Sequence, residues 1–105
     1  MNYNVYYSGK AENDLHGIFQ YIAYNLSAPI AAKKQADDII DEISKLSENP
    51  LRYPLYKREP WRSKGLRFFL VNNYIVFYLL EEDSKNVIIV RIMYGGRNVD
   101  TQLNN

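Results

Sequence analysis

The 105-residue chain contains no cysteine and a single histidine, His16. The absence of thiols excludes a disulfide scaffold, a thiolate zinc site, an iron–sulfur cluster and a cysteine nucleophile. A lone imidazole also excludes a metal site built on a pair of histidines. No glycine-rich loop with a lysine follows a strand and opens a helix, so a phosphate-cradling nucleotide site is absent as well. We therefore expect no cofactor.

Long hydrophobic runs are also missing. The longest, Tyr74–Leu80 and Val87–Ile92, are far shorter than the ~20 residues that a membrane-spanning helix requires. The first residues alternate in polarity and do not form the charged and apolar regions of a secretory signal. With 47% hydrophobic and 24% charged residues, the composition is that of a folded globular protein. We expect a single cytoplasmic domain over residues 1–105 with no membrane partner.

Charge is distributed unevenly along the chain. Residues 1–50 carry four lysines and seven acids, whereas residues 51–105 carry nine basic residues and five acids. Six cations lie close together, with Glu59 as the one acid among them: Arg52, Lys57, Arg58, Arg62, Lys64 and Arg67. Such a segment is compatible with an anionic partner, and a solvated loop with scattered charges is the alternative.

The first half of the chain predicts one strand and two helices. Asn2–Ser8 alternates in polarity, as a short strand does. From Gly9 to about Leu26, apolar residues recur at helical spacing, and a second amphipathic helix runs from Pro29 to Ser47. Because the link between them is short, the helices should form an antiparallel hairpin whose apolar faces need a shared surface.

The second half predicts a loop and three strands. Prolines break residues 49–62 into a loop, and its aromatic side chains indicate that part of it packs back on the body. Three segments rich in β-branched and aromatic residues follow, namely Leu66–Val71, Tyr74–Leu80 and Val87–Tyr94. Residues 97–103 predict a short helical turn or a docked tail. The order β-α-α-β-β-β predicts an α+β domain in which an antiparallel sheet packs against the N-terminal helix hairpin.

Arginines inside the strands are the candidate functional residues. Arg67 and Arg91 lie within predicted strands, and Arg97 follows the last one. Strand alternation places Ile88, Val90 and Ile92 on the face that we take as the core. It places Arg91 on the opposite face. An arginine on an open sheet face would grip a phosphate or a partner's carboxylate. The alternative is an internal salt bridge, for instance to Asp100 or to a helix acid.

Four segments, in order and spanning nearly the whole chain, carry a family resemblance. They are YNVYYSGKAENDLHGIFQYIA, NPLRYPL, LRFFLVNNYIVFYLL and VIIVRIMYGGRNVDTQL. Together they resemble the RelE/ParE superfamily of toxins from bacterial type II toxin–antitoxin systems, also called plasmid stabilisation proteins. The resemblance implies a small cognate antitoxin as the partner of this chain.

The two branches of that superfamily differ in activity. RelE-like members are ribosome-dependent mRNA endonucleases, whereas characterised ParE-like members poison DNA gyrase and cleave no RNA themselves. In the RelE pattern an arginine tends to occupy a Tyr-Arg-Leu-Val-Tyr-like stretch, and Ile75 stands in its place here. The segment RIMYGGRNVD looks like a ParE-type ending. The chain is therefore more similar to the ParE branch.

Each branch implies a set of site residues. A ParE-like toxin would use Arg67, Arg91 and Arg97 to bind gyrase and would not itself be an enzyme. A RelE-like endoribonuclease would act on mRNA at the ribosome, with candidate catalytic groups on Lys57, Arg67, Arg91, Tyr94 and Arg97. A third possibility is a toxin fold that has kept antitoxin binding and lost toxicity.

Overall fold

The computed structural model describes residues 2–96 and 98–104. Strand β1 (Asn4–Tyr7) leads into helix α1 (Gly9–Gln20), which continues as a π-helical turn (Tyr21–Asn25). Helix α2 (Pro29–Ser44) ends in a 3₁₀ turn (Lys45–Ser47). A long loop then precedes strands β2 (Arg67–Val71), β3 (Tyr74–Glu81) and β4 (Asn86–Tyr94), and helix α3 (Val99–Leu103) ends the fold. These bounds confirm the predicted elements to within a few residues, with the π-helical turn as an addition.

Local chemistry explains where the two long helices begin. The Ser8 hydroxyl accepts a hydrogen bond from the Ala11 N–H at 3.0 Å, as an N-cap does. The same hydroxyl donates to the Val90 carbonyl at 2.8 Å, so the cap also fixes the start of α1 against β4. Pro29 occupies the first position of α2, where its missing N–H is not needed.

The predicted element order and α+β class are confirmed, and the strand directions need one correction. The sheet order is β1-β4-β3-β2, and β3 is antiparallel to both of its neighbours, β2 and β4. Strand β1 pairs with β4 in the parallel direction, so the sheet is mixed and not wholly antiparallel. A parallel pairing needs a crossover of a dozen or more residues, and the two helices and the loop provide it.

Helices α1 and α2 cover one face of the sheet. The buried core on this helix side includes Ile39 and Ile43 of α2 with Val87, Ile89 and Ile92 of β4. Strand alternation alone predicts Val87 and Ile89 on the same face as Arg91, opposite Ile92, and this prediction is wrong. A register shift between β3 and β4 inserts an extra residue before Arg91, and a bulge of this kind changes which side chains face the core.

The opposite face of the sheet is covered too. Phe77 and Met93 are buried there with Leu66 and Leu103, and the loop side chains of Tyr56 and Trp61 are among those that pack against them: this is the far-side core. The functional interpretation of Arg91 assumed an open sheet face. At this position the face is covered by the far-side core. Within the described part of the chain, no helix combines the length and the apolar character needed to cross a membrane.

Candidate functional site

The end of β4 is a free edge of the sheet. The pairing of β1 stops opposite Ile89, so beyond that point, among the described residues, β4 has only β3 as a strand neighbour. The Gly95 N–H donates to the Asn73 carbonyl at 2.9 Å. Because polar groups alternate along an antiparallel ladder, the N–H and C=O of Ile92 and Tyr94 point away from β3. Such an edge can accept a further extended segment.

A partly buried carboxylate already accepts a hydrogen bond from one of these edge groups. Asp14 of α1 accepts the Ile92 N–H at 2.9 Å, and its two oxygens accept the Nε and Nη2 of Arg91 at 2.7 and 3.0 Å. The third Arg91 nitrogen, Nη1, donates to the Gln102 carbonyl at 3.0 Å. Both charged side chains are 16% exposed. The hydrogen bond with Asp14 raises the pKa of Arg91. This confirms the alternative interpretation, in which Arg91 pairs with a helix acid.

An open groove of about 890 Å³ lies between α1 and the free edge of β4. We call it the edge groove. Its walls are mainly apolar and aromatic and include Ile18, Tyr21, Ile22, Leu26, Ala31, Tyr74, Ile92 and Tyr94. The Tyr74 and Tyr94 rings meet edge to face with centroids 5.8 Å apart. An apolar groove beside an unpaired strand edge offers both side-chain contacts and backbone hydrogen bonds to a peptide.

The tip of the helix hairpin extends this surface. No charged residue occurs between residues 17 and 32. Four large hydrophobic side chains are exposed there: Tyr21, Tyr24, Leu26 and Ile30. Contiguous apolar exposure of this kind marks an interaction surface.

The structure does not bring the predicted cations together. Arg67 lies opposite Tyr78, on the helix side of the sheet, and its Nη1 donates to the Tyr53 carbonyl at 2.6 Å. Arg91 lies opposite Phe77, whose side chain is in the far-side core. The two guanidinium groups therefore project from opposite faces of the sheet, with β3 between them. Their role in target binding stays a prediction.

The remaining predicted residues are dispersed. Lys57 is exposed on the loop before β2, Tyr94 lines the edge groove, and Arg97 lies outside the described residues. Over residues 2–96 and 98–104, no group of three or more histidine, aspartate or glutamate side chains is placed to hold a metal ion.

Asp14 is the site residue that sequence reasoning missed. Near the N-terminus of α1 an acid suits the helix dipole, so its position along the chain needs no partner to explain it. Its spacing gives a different signal, because Ala11, Asp14 and Ile18 follow the i, i+3, i+7 pattern of a single helix face. An acid on the apolar stripe indicates a buried partner.

Comparisons with known proteins agree with one another. The family model described as "ParE toxin of type II toxin-antitoxin system, parDE" matches residues 5–99. Among solved structures, a chromosomal ParDE toxin–antitoxin system from P. aeruginosa is similar, with a TM-score of 0.72 and 21% identity over 88% of this chain and 95% of the other. No curated protein sequence matches the chain.

Two RelBE complexes are similar in fold as well. The RelBE2 complex from Mycobacterium tuberculosis gives a TM-score of 0.65 and 21% identity, covering 90% of this chain and 92% of the other. The archaeal RelE–RelB complex from Pyrococcus horikoshii gives a TM-score of 0.60 and 18% identity, covering 93% of this chain and 100% of the other. Since the family model spans most of the sequence, the chain belongs to the ParE toxin family and is the toxin of a type II toxin–antitoxin system.

Proposed function

We propose that this toxin inhibits growth by poisoning DNA gyrase and that a cognate antitoxin neutralises it. The observation that carries the proposal is the match of the ParE family model to residues 5–99. Gyrase is the target of the ParE-like toxins that this sequence resembles. In this function the toxin binds its target and catalyses no reaction.

The chemistry of the described residues supports binding over RNA cleavage. An endoribonuclease needs a base for the 2′-hydroxyl and cations around the scissile phosphate. Arg91 is neutralised by Asp14, Arg67 is held by a backbone carbonyl on the opposite face, and Ile75 replaces the arginine of the RelE pattern. Among the candidates in the described ranges, this leaves Lys57 on the loop before β2 and Tyr94 at the edge groove.

The edge groove suits an antitoxin. Three structural relatives are toxin–antitoxin systems or complexes, so a partner of the same kind is proposed here. An extended segment would pair with the β4 edge near Tyr94, and an amphipathic helix would lay its apolar face against Tyr21 and Leu26. Both modes bury surface that the isolated chain leaves in water.

Purified toxin should block the supercoiling of relaxed plasmid by gyrase or trap cleaved DNA, and cells that express it without antitoxin should stop replicating. Supercoiling and replication are measured in parallel with translation and mRNA integrity. Full supercoiling at saturating toxin would overturn the gyrase proposal. Codon-specific mRNA cuts would identify a RelE-like endonuclease, and unimpaired growth would identify a fold that has lost toxicity.

Replacing Tyr21 by alanine should weaken antitoxin binding about 30-fold, because an aromatic side chain in a desolvated groove is a typical hot spot worth about 2 kcal/mol. Tyr6→Ala is the matched control, since Tyr6 is 51% exposed against 53% for Tyr21 and lies on β1, outside the edge groove. Its binding should change less than about threefold. Isothermal titration with the cognate antitoxin measures both variants. Equal losses in the two would argue against the edge groove as the docking site.

A further inference from the structure

The loop between α2 and β2 folds into an ordered lobe. We call residues 52–66 the cationic lobe. The Tyr56 N–H donates to the Leu66 carbonyl at 2.7 Å, and the Leu66 N–H donates to the Trp61 carbonyl at 3.1 Å. A bend at residue 58 leads into one continuous run of turns over residues 59–65, and the Arg62 N–H donates to the Arg58 carbonyl at 3.0 Å. The backbone of the lobe is therefore held by its own hydrogen bonds.

Side chains anchor the lobe to the body of the protein. Tyr56, Trp61 and Leu66 pack into the far-side core, and the Tyr56 hydroxyl donates to Asp100 of α3. Burial, reinforced by this hydrogen bond, raises the pKa of Tyr56 to about 12, so the hydroxyl remains a donor at neutral pH. An anchored lobe has lost its conformational freedom before any partner arrives, which lowers the entropic cost of binding.

The outer surface of the lobe is strongly basic. Five cations in the lobe are exposed: Arg52, Lys57, Arg58, Arg62 and Lys64. Arg58 is paired with Asp100 at 3.1 Å. The one acid of the lobe, Glu59, accepts the Ser63 N–H at 3.0 Å. Lys57, Arg62 and Lys64 form no salt bridge within the described ranges, and Lys64 lies over the Trp61 ring, 5.1 Å from its centroid.

Three exposed lysines in the helix hairpin are in a different electrostatic setting. On α2 and the 3₁₀ turn that follows it, Lys33, Lys34 and Lys45 each form a salt bridge with an acid three or four residues away. Their charge is compensated along the same helix, whereas most of the charge on the lobe is not. The lobe therefore concentrates positive potential at one place on a protein whose formal net charge is only +1.

We propose that the cationic lobe binds the phosphate backbone of duplex DNA. The inference rests on the proposed function, because a toxin that acts on gyrase meets its target together with DNA. Single-stranded nucleic acid is usually held by bases stacked on exposed aromatic rings, and here Tyr56 and Trp61 are turned into the far-side core. Lysine and arginine side chains on a fixed turn contact phosphates without reading base sequence.

The decisive experiment removes the three lobe cations without a salt bridge. The lobe variant combines Lys57→Gln, Arg62→Gln and Lys64→Gln, and the control variant combines Lys33→Gln, Lys34→Gln and Lys45→Gln. Each removes three charges from a formal net charge of +1, so both variants have a formal net charge of −2. Circular dichroism and thermal unfolding establish that both are folded. Fluorescence anisotropy then measures the binding of each full-length toxin to a short labelled DNA duplex as the salt concentration is varied.

The wild type should bind duplex DNA with a strong dependence on salt. Each phosphate contact contributes about 0.9 to the steepness with which log affinity falls against log salt concentration. Three contacts therefore predict an affinity loss of about 40-fold between about 50 and 200 mM salt. The lobe variant should lose most of this dependence and bind at least about tenfold more weakly at the lower salt concentration. The control variant should stay close to the wild type.

Three results would overturn the proposal: equal losses in the two variants, salt-independent binding by the wild type, or tighter binding to single-stranded RNA than to duplex DNA. The supercoiling assay separates this inference from the proposed function. If the lobe variant binds DNA as the wild type does and the wild type still poisons gyrase, the lobe proposal fails alone. If the lobe binds DNA and supercoiling is unaffected by saturating toxin, the gyrase proposal fails alone.

Discussion

Replacing Asp14 by alanine should lower the free energy of unfolding by about 3–5 kcal/mol. The substitution leaves the Arg91 guanidinium largely buried without its counter-charge and removes the acceptor of the Ile92 N–H. Removing one partner of a largely buried ion pair costs about 3–5 kcal/mol, because the remaining charge is left without its counter-charge. Native domains are stabilised by only about 5–15 kcal/mol, so this loss is a large fraction of the total stability. Urea denaturation followed by circular dichroism measures the loss.

Two further variants test the cause of that loss. Asp41→Ala removes an exposed acid from α2 and should change stability by no more than about 0.5 kcal/mol. The double variant Asp14→Ala/Arg91→Ala removes both charges and should be less destabilised than the sum of the two single variants, because no charge is left unpaired. Additive losses in this cycle would show that the ion pair is not the source of the effect.

Local sequence signals predicted most of the elements because each signal is contained in a few residues. Helical spacing from Gly9 and the proline at position 29 predicted the helix starts, and β-branched and aromatic runs predicted three strands. The partner and direction of β1 were not predictable, because alternation identifies a strand without saying which strand lies beside it. The bulge before Arg91 was invisible for the same reason: it exists only in the pairing of β4 with β3.

The candidate site was harder to predict than the fold, because its residues meet through tertiary contacts. Arg91 and Asp14 are 77 positions apart, and no local pattern links them. The loop could be predicted to pack back on the body, but its place over the far face depends on Trp61 and Tyr56 meeting Phe77. A count of cations identified the basic segment, while only the structure distinguishes lobe lysines without a salt bridge from paired helix lysines.

Replacing Phe77 by alanine should cost about 3–5 kcal/mol, comparable to the loss of Asp14. Phe77 is fully buried, and its ring meets the Tyr56 ring edge to face with centroids 5.4 Å apart. Truncation of Phe77 therefore leaves a cavity under the lobe. Leu70→Ala is the matched control, because Leu70 is in the neighbouring strand and 64% exposed. It should change stability by about 0.5 kcal/mol or less.

The emission of Trp61, the one tryptophan of the chain, tells whether the lobe and the sheet unfold together. In the wild type and in Phe77→Ala, denaturation followed by this fluorescence should coincide with denaturation followed by circular dichroism, since a single cooperative domain loses both signals at once. A fluorescence transition at lower urea than the circular dichroism transition in Phe77→Ala would mean that the truncated far-side core no longer holds the lobe. In that case the lobe would lose the fixed geometry on which its DNA contacts depend, and Phe77→Ala would weaken salt-dependent DNA binding without removing a charge.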